Sequence, residues 1–121
     1  MTDLPDDHRS AFEDVQGELR DIADIAAAEL VSTTAVHLMS AAAVKVGLAD
    51  EPEQQLDLAE ARKIITALAG LVTAAAPDLD DTHARSLREG LRALQLAFRE
   101  ASPIPDAPGK GPGEKYTGSV L

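Results

Sequence analysis

Apolar residues recur every three or four positions along three stretches of the chain, which predicts three amphipathic helices. These stretches cover residues 24–46, 52–76 and 80–101. Gly47 and Pro77 are typical of helix ends, and Asp24 and Asp80 are typical N-cap residues. The pattern therefore predicts an all-α fold, with one three-helix bundle over residues 24–101.

The first predicted helix is rich in alanine on nearly every side, with three consecutive alanines at 26–28 and again at 41–43. A helix that is apolar over most of its circumference is usually buried on several sides. Aromatic residues make up only 2% of the chain, so the core of a single copy is small. We therefore expect a homodimer that forms through this first helix.

The two ends of the chain differ from the bundle in composition. Residues 1–23 contain helically spaced apolar positions, but Gly17 and many acids favour a mobile acidic segment that becomes helical on contact with a partner. Residues 102–121 contain four prolines and four glycines, which predicts a disordered, extended tail without a helix.

Charge and hydropathy narrow the partners and the compartment. The net charge is −10, so a phosphate backbone would repel the chain, and direct binding to nucleic acid is not expected. The best apolar run, residues 64–76, is well short of the ~20 residues of a membrane span, and the N-terminus lacks the pattern of a signal peptide. We expect a cytoplasmic protein that binds no membrane.

No residue pattern in the chain predicts catalysis, a metal or a cofactor. Cysteine is absent, and His8, His37 and His83 lie in three different segments without ligand spacing. We interpret His37, in the middle of the first helix, as a partly buried histidine. Together with Met39 and Phe98 it marks a candidate groove between the first and third helices.

The only concentration of basic residues lies on the third predicted helix. It consists of Arg85, Arg88, Arg92 and Arg99. The favoured interpretation is a solvated face that pairs with Glu89, Glu100 and acids of the second helix. A binding patch is the alternative.

Residues 109–115, with the sequence GKGPGEK, look superficially like a phosphate-binding loop. Such a loop needs a lysine after its last glycine and a helix behind it, whereas Gly113 precedes Glu114 and no helix is predicted there. Tyr116 is the only tyrosine of the chain. With Glu114 and Lys115 it forms a candidate anchor that docks on a partner or on the bundle itself.

Four blocks of the sequence resemble a known family. They are VHLMSAAAVKVGL at 36–48, LAEARKIITAL at 58–68, LRALQLAFREA at 91–101 and GPGEKYTG at 111–118. They are similar to the small bacterial proteins of the domain of unknown function numbered eighteen forty-four, in its actinobacterial form. The resemblance implies a short helical cytoplasmic protein without an assigned activity, cofactor or catalytic residue, and its gene neighbourhoods imply a partner related to translation.

These observations favour a non-enzymatic protein-interaction or assembly module that forms a homo-oligomer and binds an unidentified protein partner. The alternative is a small-molecule or peptide binder that uses the groove between the first and third helices.

Overall fold

The computed structural model describes residues 10–17, 26–49 and 56–121, and every regular element within these ranges is a helix. Helix α1 covers residues 10–17, and the later helices are α2 (Ala27–Lys45), α3 (Leu58–Ala75), α4 (Asp81–Ala101) and α5 (Glu114–Thr117). A 3-10 turn, Ala76–Asp78, separates α3 from α4. The predicted all-α class is confirmed, and α2, α3 and α4 correspond to the three predicted bundle helices.

The acidic segment predicted to be mobile is helical in its described part, residues 10–17. Phe12 and Val15 lie on this helix and are 58% and 53% exposed, so their helical spacing is not accompanied by burial against the bundle. The rest of the segment lies outside the described residues.

The start of α4 follows the prediction, because Asp80 is its N-cap. Its carboxylate accepts a hydrogen bond from the backbone N–H of His83 at 2.8 Å and lies 2.5 Å from Nδ1 of the same residue. These two hydrogen bonds hold the pKa of Asp80 below its ordinary value of 3.8, and the bond from the backbone has the larger effect.

The prediction placed the start of α3 six residues too early, at residue 52. The helix begins at Leu58 because Asp57 is its N-cap, with a non-helical φ of −150° and a carboxylate that accepts the Glu60 N–H at 3.2 Å. The end of α2 was predicted correctly, since Gly47 has a φ of 92° that favours glycine. The other predicted cap, Asp24, was wrong, because α2 begins at Ala27 and its N-cap is Ala26, whose backbone is extended and whose side chain makes no capping hydrogen bond.

The buried residues lie mainly on α3 and α4, and not on the alanine-rich α2. The residues of α3 that are buried are Ala61, Ile65, Leu68, Ala69 and Val72. In α2 only Ala35 and Ala42 are buried. The expectation that the first helix is buried on several sides is therefore wrong for a single copy, because α2 packs on α3 and α4 with one face only.

The C-terminal segment, residues 102–121, does not form the predicted disordered tail. It folds back onto the bundle, and its helix α5 packs against α3. Pro112, Gly113, Glu114 and Val120 are buried there. The prolines and glycines that favoured disorder instead shape turns, in which Gly109, Gly113 and Gly118 have φ near 80°.

Candidate functional site

The C-terminal segment is organised around the carboxylate of Glu114, which is only 9% exposed. Its Oε1 accepts a hydrogen bond from the Gly111 N–H at 2.9 Å. Its Oε2 accepts from the N–H groups of Gly109 and Val120, both at 3.2 Å. Converging backbone amides form an anion-binding concavity, and here the anion belongs to the same chain. Residues 109–115 therefore do surround an anion, as a phosphate loop would, but the anion is Glu114.

Two glycines of this loop, Gly111 and Gly113, leave no room for a Cβ atom, and the backbone conformation of Gly113 also favours glycine. Gly113 has a φ of 75°, and a Cβ there would lie 2.6 Å from the Cβ of Ala69 on α3. A Cβ on Gly111 would collide with Oε1 of Glu114. The glycines thus permit the close approach of the loop backbone to α3 and to its own carboxylate.

Gln95 joins the C-terminal segment to α4, and sequence reasoning missed it. Its side chain is 3% exposed, and its Nε2 donates to the Pro112 carbonyl and to Thr117 Oγ1, both at 3.1 Å. A glutamine four residues after Leu91, on the buried stripe of α4, was the available signal. A buried amide needs partners, and the C-terminal segment supplies them.

The beginning of the segment is held by two arginines. The Arg62 guanidinium donates to both carboxylate oxygens of Asp106, at 2.9 and 3.1 Å, and lies 4.9 Å from the ring centroid of Phe98. Arg99 donates to the Asp106 carbonyl at 2.9 Å. One of the four arginines of α4 therefore has a structural role at the start of the segment.

Tyr116 docks on the bundle, which is one of the two alternatives that the sequence left open. Its ring lies on α3, since a Cβ on Gly70 would be 3.3 Å from Tyr116 Cζ. The side chain remains 46% exposed, and Lys115 Nζ lies 5.0 Å from the ring centroid. The three predicted anchor residues thus serve an internal contact, with Tyr116 still accessible on one side.

The docked segment completes a cavity of about 340 Å³ between α3, α4 and residues 116–120, here called the arginine cleft. Its charged lining residues are Arg88 and Arg92. The others are apolar or uncharged polar side chains from the three walls, namely Val72, Thr73, Leu91, Gln95, Tyr116, Thr117, Ser119 and Val120. A volume at the lower end of the range for ligand pockets suits a small molecule.

The arginines of α4 do not pair as the favoured interpretation expected. Within the described ranges the salt bridges join Arg62 to Asp106, Lys63 to Glu60 and His83 to Asp80. Arg85, Arg88 and Arg92 are exposed and take part in none of these. The expected ion pairs of these arginines are therefore absent from this part of the structure, whereas their exposure to solvent agrees with both interpretations.

The candidate groove near His37 is not formed. His37 is exposed on α2, so the prediction of a partly buried histidine is wrong. Met39 instead points at α4, where a Cβ on Gly90 would be 2.9 Å from its sulfur. Phe98 is 2% exposed, and the depression that it lines with Arg62, Leu58 and Ile104 includes neither His37 nor Met39. His37 and Met39 are separated because residues two positions apart in a helix lie on nearly opposite sides of it.

Among the described residues no group of three or more histidines, aspartates and glutamates is placed to hold a metal ion. The hydroxyl groups near His37 are also occupied, because Thr34 Oγ1 donates to the Leu30 carbonyl at 2.9 Å and Ser40 Oγ to the Val36 carbonyl at 3.1 Å.

Length and composition alone would allow α2 to cross a membrane, since its 19 residues have a mean hydropathy of 1.3. The best apolar run of the sequence, residues 64–76, lies instead in and just after α3. Only 11% of the apolar window of α2 is buried, and the core helix of a soluble protein or a signal sequence passes the same test of length and composition. The observation therefore establishes an apolar, largely uncovered helix.

The fold defines a class of small all-helical proteins, a three-helix bundle with a C-terminal segment docked on two of its helices. The chain belongs to the family described as Domain of unknown function (DUF1844), whose model matches residues 27–100. This confirms the family resemblance over α2, α3 and nearly all of α4, whereas the actinobacterial form stays a prediction. No curated protein and no solved structure matches the chain.

Proposed function

We propose that the protein is a non-enzymatic assembly module whose copies pair through one surface of α2. This surface, the outer face of α2, consists of Leu30, Thr33, Val36, His37 and Ser40. At 3.6 residues per turn, the five positions lie within about a third of the helix circumference, opposite the buried Ala35 and Ala42. The observation that carries the proposal is this exposed face, which contains Leu30 and Val36 and no acidic residue.

The outer face of α2 has few groups that require water. Leu30 is 38% exposed and Val36 50%. The Ser40 hydroxyl donates to the Val36 carbonyl, so one of its polar groups is satisfied within the helix. Between Glu29 and Lys45 the only ionisable residue is His37. A contiguous face of this kind is typical of a surface that another molecule covers.

A second copy of the chain is the occupant that the charges favour. The whole chain carries a net charge of −10, whereas its outer α2 face contains no acidic residue, so two copies that meet there bring no carboxylate groups of that face into contact. The same net charge opposes contact with an anionic lipid surface. The small side chains of Thr33 and Ser40 permit a close helix pair, with an interaxial distance of about 8–10 Å.

The non-enzymatic part of the proposal is supported by the surroundings of His37, a histidine with serine and threonine hydroxyl groups nearby on the same helix. It is exposed, and the neighbouring Thr34 and Ser40 hydroxyls donate to backbone carbonyls rather than to its ring. We propose the cytoplasm as the compartment, and a protein related to translation as a further partner. Proximity labelling in the native host checks both.

The dimer is tested by sedimentation of the full chain over a wide range of concentrations. We expect a reversible dimer, and we expect Val36→Glu to weaken it by about tenfold or more, since a charge is buried without a partner in that interface. Leu96→Glu is the matched control, because Leu96 is an exposed apolar residue on another helix, at 37%. It should leave the dimer unchanged.

A chain that stays monomeric at all concentrations would contradict the proposal, as would equal weakening by the two variants. Flotation of the full chain with vesicles of neutral and of anionic lipid supplies a further outcome. Binding to vesicles that Val36→Glu abolishes, without a dimer in solution, would assign the outer α2 face to a membrane instead.

A further inference from the structure

The arginine cleft is positively charged, whereas the chain as a whole is acidic. Arg88 and Arg92 are its only charged lining residues, in a protein whose net charge is −10. They are four positions apart on α4, so their Cβ atoms lie on the same side of the helix, about 5–6 Å from each other. Neither takes part in a salt bridge within the described residues. Asp81 and Glu89 line the neighbouring surface depression together with both arginines, but neither acid forms a salt bridge with them. Adjacent guanidinium groups that form no salt bridge are a natural site for an anion.

Part of the lining of the cleft is apolar. Val72 and Leu91 are each 2% exposed and Val120 is 6% exposed, and these three packed side chains form the apolar part of the lining. The Thr117 hydroxyl on the rim is already engaged, since it accepts from Gln95 and donates to the Gly118 carbonyl at 2.8 Å. The cleft therefore offers cationic donors on one side and hydrocarbon on the other, within about 340 Å³.

We propose that the arginine cleft binds a small organic anion, in which a carboxylate or phosphate group is attached to a short apolar chain or ring. The guanidinium groups of Arg88 and Arg92 hold the anionic group with charge-assisted hydrogen bonds, and the apolar part covers Val72, Leu91 and Val120. None of the lining residues belongs to α2. The site is therefore independent of the proposed dimer.

The protein carries its own reporter for this site. Tyr116 lines the cleft, and the chain contains one tyrosine and no tryptophan. Its intrinsic fluorescence therefore comes from a single residue at the site. A ligand beside the exposed half of the ring changes the surroundings of that ring, and the change saturates when the site is filled.

The experiment is a fluorescence titration of the full chain with hexanoate, hexyl phosphate, neutral hexanamide and inorganic phosphate. We expect a saturable change with hexanoate, hexyl phosphate or both, and which of the two binds more tightly identifies the anionic group. Arg88→Gln and Arg92→Gln should each weaken binding by about tenfold or more, as the loss of a charge-assisted hydrogen bond predicts. Arg85→Gln is the matched control, because Arg85 lies three positions before Arg88 on α4 but does not line the cleft.

Several outcomes would overturn the proposal. One is the absence of a saturable change with both organic anions. Another is binding of hexanamide as tight as that of hexanoate, which would show that the negative charge of the ligand does not contribute to binding. Equal affinity for inorganic phosphate and hexyl phosphate would show that the apolar lining does not contribute to binding. If Arg85→Gln weakened binding as much as Arg88→Gln, the effect would come from the net charge of the protein and not from contacts in the cleft. Circular dichroism of the three variants confirms that each is folded.

Discussion

Glu114 is a buried carboxylate whose oxygens accept hydrogen bonds from backbone amides. Its two oxygens accept three hydrogen bonds, from the N–H groups of Gly109, Gly111 and Val120. A side chain with a single acceptor oxygen does not reproduce this set of hydrogen bonds. An ionised group is costly to bury unless each oxygen is hydrogen-bonded, so these three contacts make the burial of Glu114 tolerable. The carboxylate in turn fixes the backbone on both sides of α5, and with it the position of Val120 in the arginine cleft.

At this scale the sharpest prediction concerns Gly113. Gly113→Ala should release the C-terminal segment, because the left-handed backbone costs about 1–2 kcal/mol and the contact with Ala69 about 1–3 kcal/mol more. Amide hydrogen exchange measures the result, as a loss of protection at Gly111 and Val120. The bundle helices should keep their protection in their buried positions.

Gly109→Ala is the control for that substitution. Gly109 also has a positive φ, 81°, but no atom lies within 4 Å of the position of its Cβ. It should show only the conformational cost of about 1–2 kcal/mol, with the segment still docked for most of the time. Equal effects of the two variants would mean that the contact with Ala69 contributes nothing.

At the scale of elements, α5 and its flanking turns depend on the bundle. A helix of four residues is far too short to be stable alone in water, so α5 exists because Glu114, Gln95 and Gly113 hold its first turn against α3 and α4. Conversely, α4 depends on the segment, since the Gln95 amide finds its partners in Pro112 and Thr117. The docked segment and the bundle therefore stabilise each other.

Deletion of residues 108–121 should lower the free energy of unfolding by about 1–3 kcal/mol, the net value of two hydrogen bonds of Gln95 and of lost packing. Urea denaturation followed by circular dichroism measures the change. Leu121→Ser is the matched control within the segment, since Leu121 is 68% exposed, and it should have no effect. Identical stability of the full and shortened chains would contradict the docked arrangement.

At the scale of the whole molecule, charge is unevenly distributed along the sequence. Residues 1–24 contain eight acids and two bases, whereas the outer face of α2 contains neither acid nor base other than His37. Two copies that pair through this face bring two net charges of −10 into one particle. Their mutual repulsion opposes the dimer, and dissolved salt screens it.

We therefore expect the dimer to become tighter by a few-fold as sodium chloride rises from about 20 to about 300 mM, over which the screening length falls severalfold. Sedimentation equilibrium at the two salt concentrations measures the dissociation constant. An interface that depends on ion pairs would show the reverse, and weakening by salt would place the contact on the charged surface instead of on α2.

Local patterns predicted most of the fold. The spacing of Leu87, Leu91, Leu94 and Phe98 was sufficient for α4, and Asp80 and Gly47 marked helix ends through contacts within a few residues. The candidate site was predicted less well. Tyr116 was chosen for its rarity, but Gln95 was missed and His37 was misplaced, because the burial of a side chain depends on which helix covers it.

By itself, the sequence determined the helical class, the three main helices and the family, because helical periodicity and capping are local properties of the chain. Only the tertiary structure decided that residues 102–121 dock on the bundle, that their amides enclose Glu114, and that Arg88 and Arg92 border a cleft. The physical reason is that the residues in contact are far apart along the sequence. Gln95 contacts Pro112 and Thr117 across 17 and 22 positions, and Gly113 meets Ala69 from a different element. Contacts of that separation leave no periodic trace in a single sequence, and glycine and proline suit an ordered turn as well as a disordered tail.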